Sequence, residues 1–116
     1  MTPGKLDLTI YQGATFSRTV ALSDTAGPVD LAGATARMQV RQKVTSPDVI
    51  IELNAGNGRA VVTDAAAGEI TLSISAADTA LLAAGVGVYD LEVAFANNQV
   101  DRILEGNVKI SPEVTR

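Results

Sequence analysis

Between Gly87 and Ile110 the chain reads GVYDLEVAFANNQVDRILEGNVKI, and this stretch constrains the rest of the fold more than any other. Tyr89, Leu91, Val93 and Phe95 fall on one face of an extended chain, and Asp90, Glu92 and Ala94 on the other. That period of two belongs to a strand with one buried and one wet side. Asn97-Asn98-Gln99 supplies residues that tolerate positive φ where the chain must reverse. The return limb carries Val100, Leu104, Val108 and Ile110 at even positions, and Gly106 among them predicts a bulge or a close backbone approach. An isolated hairpin is marginal in water, so the remaining chain must supply a sheet for it to join.

The remaining chain is patterned accordingly. Leu6, Leu8 and Ile10 alternate with polar residues in a first strand that ends at Gln12-Gly13. Thr15 to Leu22 forms a second, with Phe16, Val20 and Leu22 inward. Arg18 shares that apolar face, so it either snorkels at a sheet edge or pairs with a carboxylate such as Glu92 or Glu105. Ser23 to Asp30 is a turn by composition, and Leu31-Ala32-Gly33 plugs the edge beyond it. Ala34, Ala36, Met38 and Val40 alternate with Thr35, Arg37, Gln39 and Arg41 in a further strand. Val49 to Leu53, Val61-Val62 and the Ile70, Leu72, Ile74 series read as three more. Ser75-Ala-Ala-Asp78 is a capping signal, and Thr79 to Ala84 accommodates one or two helical turns before Gly85 ends them. Seven to eight strands with one short helical turn predict an all-β, two-layer antiparallel sandwich, with a small closed barrel as the competing architecture. Residues 1–116 form one domain with a short polar tail, 111–116.

What the chain lacks excludes much chemistry. There is no cysteine, hence no disulfide or thiolate site, and no histidine, hence no Ser-His-Asp arrangement. Neither a cofactor nor a metal is expected. Aromatics make up 3 % of the residues and tryptophan is absent, which leaves little with which to build a sugar platform. A net charge of −4 gives no reason to approach a phosphate backbone, so nucleic acid is not an expected partner. The amino terminus has no secretory pattern and no run approaches the ~20 apolar residues of a membrane helix. The expectation is a soluble protein, made in a cytoplasm and not bound to a membrane.

Four features could carry function. The outward residues Arg37 and Arg41, extended by Lys43, form a basic stripe that is either a solvated face or a docking surface for an acidic partner. Asp90, Glu92, Asp101 and Glu105 could gather across the hairpin, although their spacing matches no cation-binding loop. Asn54 to Gly58 is glycine-rich and precedes Arg59, but lacks both the Lys-Ser/Thr and the helix of a phosphate loop, and reads as a turn. The tail, with Pro112, Glu113, Val114 and Arg116, either frays or orders against a neighbouring subunit.

The segments TFSRTVAL, AGPVDLAGATARMQVR, GEITL, GVYDLEV and RILEGNVKISPEVTR, taken in this order, resemble the small immunoglobulin-like β-sandwich virion proteins of tailed bacteriophages and prophages. The amino-terminal domain of phage baseplate upper proteins is among these. The resemblance implies a non-enzymatic structural component of the virion, present in several copies or as a homo-oligomer. It would act as an adaptor to other phage structural proteins at the tail, baseplate or fibre attachment point. A capsid decoration protein and a carbohydrate-binding module for the host surface are the alternatives. Arg37, Arg41, Lys43, Pro112, Glu113, Val114 and Arg116 are the expected partner-binding residues.

Overall fold

A computed structural model describes residues 2–116; Met1, with which the polar amino terminus begins, lies outside them. The eleven strands are β1 (Gly4–Lys5), β2 (Leu8–Tyr11), β3 (Phe16–Ala21), β4 (Ser23–Asp24), β5 (Gly27–Pro28), β6 (Thr35–Arg41), β7 (Ile51–Asn54), β8 (Ala60–Asp64), β9 (Glu69–Ile74), β10 (Gly85–Ala94) and β11 (Val100–Ser111). One helical turn, α1 (Ala76–Thr79), lies between β9 and β10. Eight of these strands reach four residues, in agreement with the number expected from the pattern.

The central hairpin forms as its alternation requires. β10 and β11 pair antiparallel over their whole length, and the reversal places Asn98 at φ 69°, with the Phe95 amide donating to Gln99 O. On the other side β10 pairs with β6 and β6 with β7, giving the large sheet the order β1-β11-β10-β6-β7, with β2 also joined to β11. The second layer is β3-β9-β8, and β4-β5 is a separate two-residue ladder inside the segment expected to turn. Ala36, Met38, Val40, Leu91, Val93, Val108 and Ile110 from the first layer meet Phe16, Val20, Ile70, Leu72 and Ile74 from the second in one core. Leu31 closes that core from its loop with 1 % of its surface exposed. The molecule is a β-sandwich.

Four local features differ from the sequence-based expectation. The large sheet is mixed, because β1 and β2 run parallel to β11. Nearly the whole chain separates these elements, so no short connection dictates an antiparallel arrangement. The expected first strand is split at Leu6-Asp7, where the chain passes over Gly106 so closely that a Cβ there would strike Leu6 O. Gly106 is therefore a close backbone approach, and the irregularity in the hairpin lies elsewhere: Leu91 pairs with Leu104 and Glu92 with Arg102, leaving Ile103 as the extra residue. This bulge reverses the inward parity, so Ile103 is buried and Val100 exposed. The helix begins and ends earlier than expected, Ser75 Oγ accepting from the Asp78 amide and Ala80 capping the far end.

Arg18 lies exposed on β3, an edge strand, and makes no ion pair with Glu92 or Glu105. The first contacts of Glu105 are Lys5 and Arg102 instead. The segment Asn54–Gly58 is a turn, in which Asn54 and Asn57 each offer a side-chain oxygen to the other's amide.

Candidate functional site

The outer face of the large sheet is concave. The groove it forms, ≈ 570 Å³, runs across β1, β11, β10 and β6 and is walled at one end by the loop that carries Val44. Its floor follows from strand period and register. Outward side chains of adjacent strands stand opposite one another, so pairing arranges them in rows across the sheet. One row runs Glu52, Gln39, Asp90, Glu105, Lys5 over β7, β6, β10, β11 and β1. The next runs Asn54, Arg37, Glu92, Arg102, and a third places Arg41 beside Val88 and Asn107.

The first row is acidic and the second mainly basic, and their charges meet on diagonals. Arg102 Nε lies 3.4 Å from Asp90 and Arg37 Nη2 3.5 Å from Glu52. Lys5 Nζ closes the row at 2.6 Å from Glu105. The basic stripe read from β6 is thus half of a mixed lattice whose other half comes from β7, β10 and β11. Glu52 sits below its ordinary pKa because Gln39 and Asn54 donate to it, with Arg37 adding to the effect. Glu105 is lowered chiefly by the hydrogen bond from Lys5. Glu92 stands in register between Arg37 and Arg102 and forms no ion pair within 4.0 Å among the described residues.

Arg41 differs from the other cations of the lattice. Its Nη1 donates to Ser46 O (2.8 Å) and Pro47 O (3.0 Å), and its Nη2 to Gln39 Oε1 (2.9 Å). The guanidinium clamps the loop at the groove's end, where Lys43 extends into solvent. Of the carboxylates weighed as a cluster, Asp90, Glu92 and Glu105 share the face. Asp101 instead pairs with Val93 and accepts from Gln99 Nε2. Among the described residues no group of three potential ligands could hold a metal ion.

The tail forms a second patch, separate from the groove. β11 ends at Ser111, whose carbonyl accepts from the Gln12 amide, and Gln12 Oε1 then accepts from the Glu113 amide at 3.0 Å. The same Gln12 donates through Nε2 to Leu82 O, and Thr79, fully buried, accepts from Gly13 N and donates to Ala14 O. Glu113 is therefore fastened to the end of the sandwich, whereas Pro112, Val114 and Arg116 stand exposed. The residues that pattern alone missed are Glu52, Arg102, Lys5 and Asp7. Each is an outward residue on a strand or its flank: the pairing of β1 and β10 with β11 brings Lys5, Asp7 and Arg102 into the groove, and the pairing of β7 with β6 sets Glu52 beside Gln39 at its margin.

No protein-family model and no curated protein sequence matches the chain. Solved structures do. The chain is similar to the N-terminal domain of phage TP901-1 ORF48, with 12 % identity over 96 % of this chain and 99 % of that one and a TM-score of 0.55. It is also similar to CopC from Methylosinus trichosporium OB3b, with 15 % identity over 93 % and 88 % and a TM-score of 0.50. In all, 338 solved chains match, so the likeness establishes an immunoglobulin-like sandwich and leaves function to the surface. No helix among the described residues is long and apolar enough to cross a membrane.

Proposed function

We propose that this protein is a non-enzymatic structural component of a tailed-phage particle. It would be a multi-copy adaptor that seats at the tail, baseplate or fibre attachment point through the charged groove of its large sheet. The observation that carries this reading is the end-to-end correspondence with the phage TP901-1 domain, which spans 96 % of one chain and 99 % of the other. The groove supports it. A fixed lattice of both charge signs selects a partner surface with the complementary pattern and sets register and orientation as it docks. It favours a protein partner over a glycan, because the one aromatic ring in its lining, Tyr89, is only 5 % exposed and offers no stacking face. The same physics would serve a capsid decoration protein, which differs only in where it sits.

The test is to tag the chain in a phage or prophage that encodes it, purify particles, and locate the tag by electron microscopy. Several copies at a fixed position on the tail are expected. Density on the capsid shell would select the decoration role, and absence of the chain from purified particles would overturn the proposal.

A further inference from the structure

The two layers have four outer sides, and three of them are guarded against further strand pairing. One side of the large sheet is divided between β1 and β2, which are two and four residues long and separated at Leu6-Asp7. On its other side the turn after β7 folds back over that strand: Glu52 O accepts from Asn57 Nδ2 and Arg59 Nη1, and the Asn54 amide donates to Asn57 Oδ1. In the second layer the register of β8 shifts at Thr63, and Asp64 adds a charge. Short strands, bulges and charges are the usual means of keeping a sheet edge from pairing. The free side of β3 is different. It runs six residues in unbroken register, without proline. Leu22 N donates to Gly68 O, and alternation from that bond turns the backbone groups of Phe16, Arg18 and Val20 towards β9. Those of Ser17, Thr19 and Ala21 point, in the plane of the sheet, to the open side. All three residues are exposed, and their side chains are small and uncharged.

We propose that β3 is a strand-accepting edge, on which an extended segment of a partner protein adds as a further antiparallel strand and places a carboxylate opposite Arg18. The backbone fixes the shape of the occupant, because only an extended chain offers donors and acceptors at the two-residue repeat that Ser17, Thr19 and Ala21 present. Arg18 fixes its charge. This residue shares the inward face with Phe16 and Val20, stands exposed, and has no carboxylate within 4.0 Å among the described residues. An incoming antiparallel strand meets Arg18 at a non-hydrogen-bonded position, where the side chains of neighbouring strands come closest. A strand with an apolar or basic residue there would cover the guanidinium unpaired, whereas Asp or Glu satisfies it. The inward charge therefore guards the edge against most strands and admits one that brings the opposite sign. It also excludes a second copy: β3 contains no acidic residue, so pairing it with itself brings two Arg18 side chains to one face and no carboxylate. The edge lies in the layer opposite the groove and is independent of docking there.

Amide NMR of the full chain, titrated with a capped heptapeptide in which threonine alternates with valine, glutamate and valine, tests the proposal. An analogue with lysine in place of the glutamate is the comparison. Up to about 5 mM peptide, shift changes and exchange protection are expected at the Ser17, Thr19 and Ala21 amides and not at those of Arg18 and Val20, which β9 already holds. The glutamate peptide should bind at least about fivefold more tightly than the lysine one. Arg18→Met should keep binding and erase that preference. Thr19→Pro removes an open-side amide and none that β9 uses, so it should abolish binding with little change in melting temperature. If Thr19→Pro folds poorly, the preference and its loss in Arg18→Met still decide. No response at the three amides, or a preference that survives Arg18→Met, would overturn the proposal. So would a dimer of the peptide-free chain that Thr19→Pro dissolves, which would assign the edge to a second copy.

Discussion

Tyr89 shows what one residue does at the junction of the two layers. Its ring is inward, as the period of β10 requires, and its hydroxyl donates to Leu6 O at 2.7 Å, where the amino-terminal segment crosses Gly106. Burial pushes the phenol up to about 12; the nearby Asp7 carboxylate adds to the rise and Arg18 opposes it. Tyr11 is the other tyrosine, so a Tyr11→Phe background isolates the signal. In that background phenolate absorbance should appear near pH 12, not near the ordinary pH of about 10. The folded value is the higher one, so this group's contribution to stability is complete below about pH 10 and is lost as pH rises towards 12. Tyr89→Phe should abolish that alkaline loss and cost about 1 kcal/mol at neutral pH, measured by denaturant unfolding, because the part-buried Leu6 carbonyl loses its donor. The inward ring was legible from alternation. Its partner was not, since Leu6 lies 83 positions away and no local pattern links the two.

At the scale of elements, the β10–β11 hairpin was legible in its limbs and its turn but not in its irregularity. The even-numbered apolar series of the return limb suggested one uninterrupted parity, with Gly106 as the place for a bulge. Instead the extra residue is Ile103, where two adjacent apolar residues, Ile103 and Leu104, were the only sign that the parity changes. Gly106 serves another purpose: it lets the chain cross the hairpin, so that Leu6 N reaches Glu105 O and Asp7 accepts from the Asn107 amide. Gly106→Ala should therefore displace the crossing segment. We expect a loss of about 1–3 kcal/mol in chemical denaturation, with β1 and β2 losing amide-exchange protection before the β3-β9-β8 layer does. An unchanged exchange pattern would mean that the crossing is not fixed by the glycine.

Across the whole molecule, the sandwich itself was the most legible feature, because inward alternation on eight strands admits few other burials. The charged face was legible one strand at a time: Arg37 and Arg41 read as a basic stripe, whereas the pairing of β6 with β7 and β10 turns them into members of a mixed lattice. Register is a long-range property, and it decides whether a charge is free or satisfied. The carboxylates so satisfied tie the periphery together: Glu105 holds β1 through Lys5, Glu52 joins β7 to β6, and Asp78 fixes α1 to the start of β8 through Arg59 at 2.8 Å. The hydrogen bonds from Lys5, from Gln39 and from Arg59 are the leading causes that hold these three carboxyls below their ordinary pKa values. A folded pKa below the unfolded one means that each contribution is present above the unfolded value and is lost as pH falls through the folded one. The melting temperature should accordingly be flat from neutral pH to about 5, then fall below about 4.5, the ordinary value for Glu105 and Glu52. Lys5→Met should lower the neutral plateau slightly and shrink the acid-induced drop, since Glu105 would then lose the leading cause of its lowered pKa and keep only the weaker pull of Arg102. Because all these pairs are largely solvated, about 0.5 M salt should also reduce the drop. An acid limb indifferent to both Lys5→Met and salt would place the acid sensitivity outside this lattice.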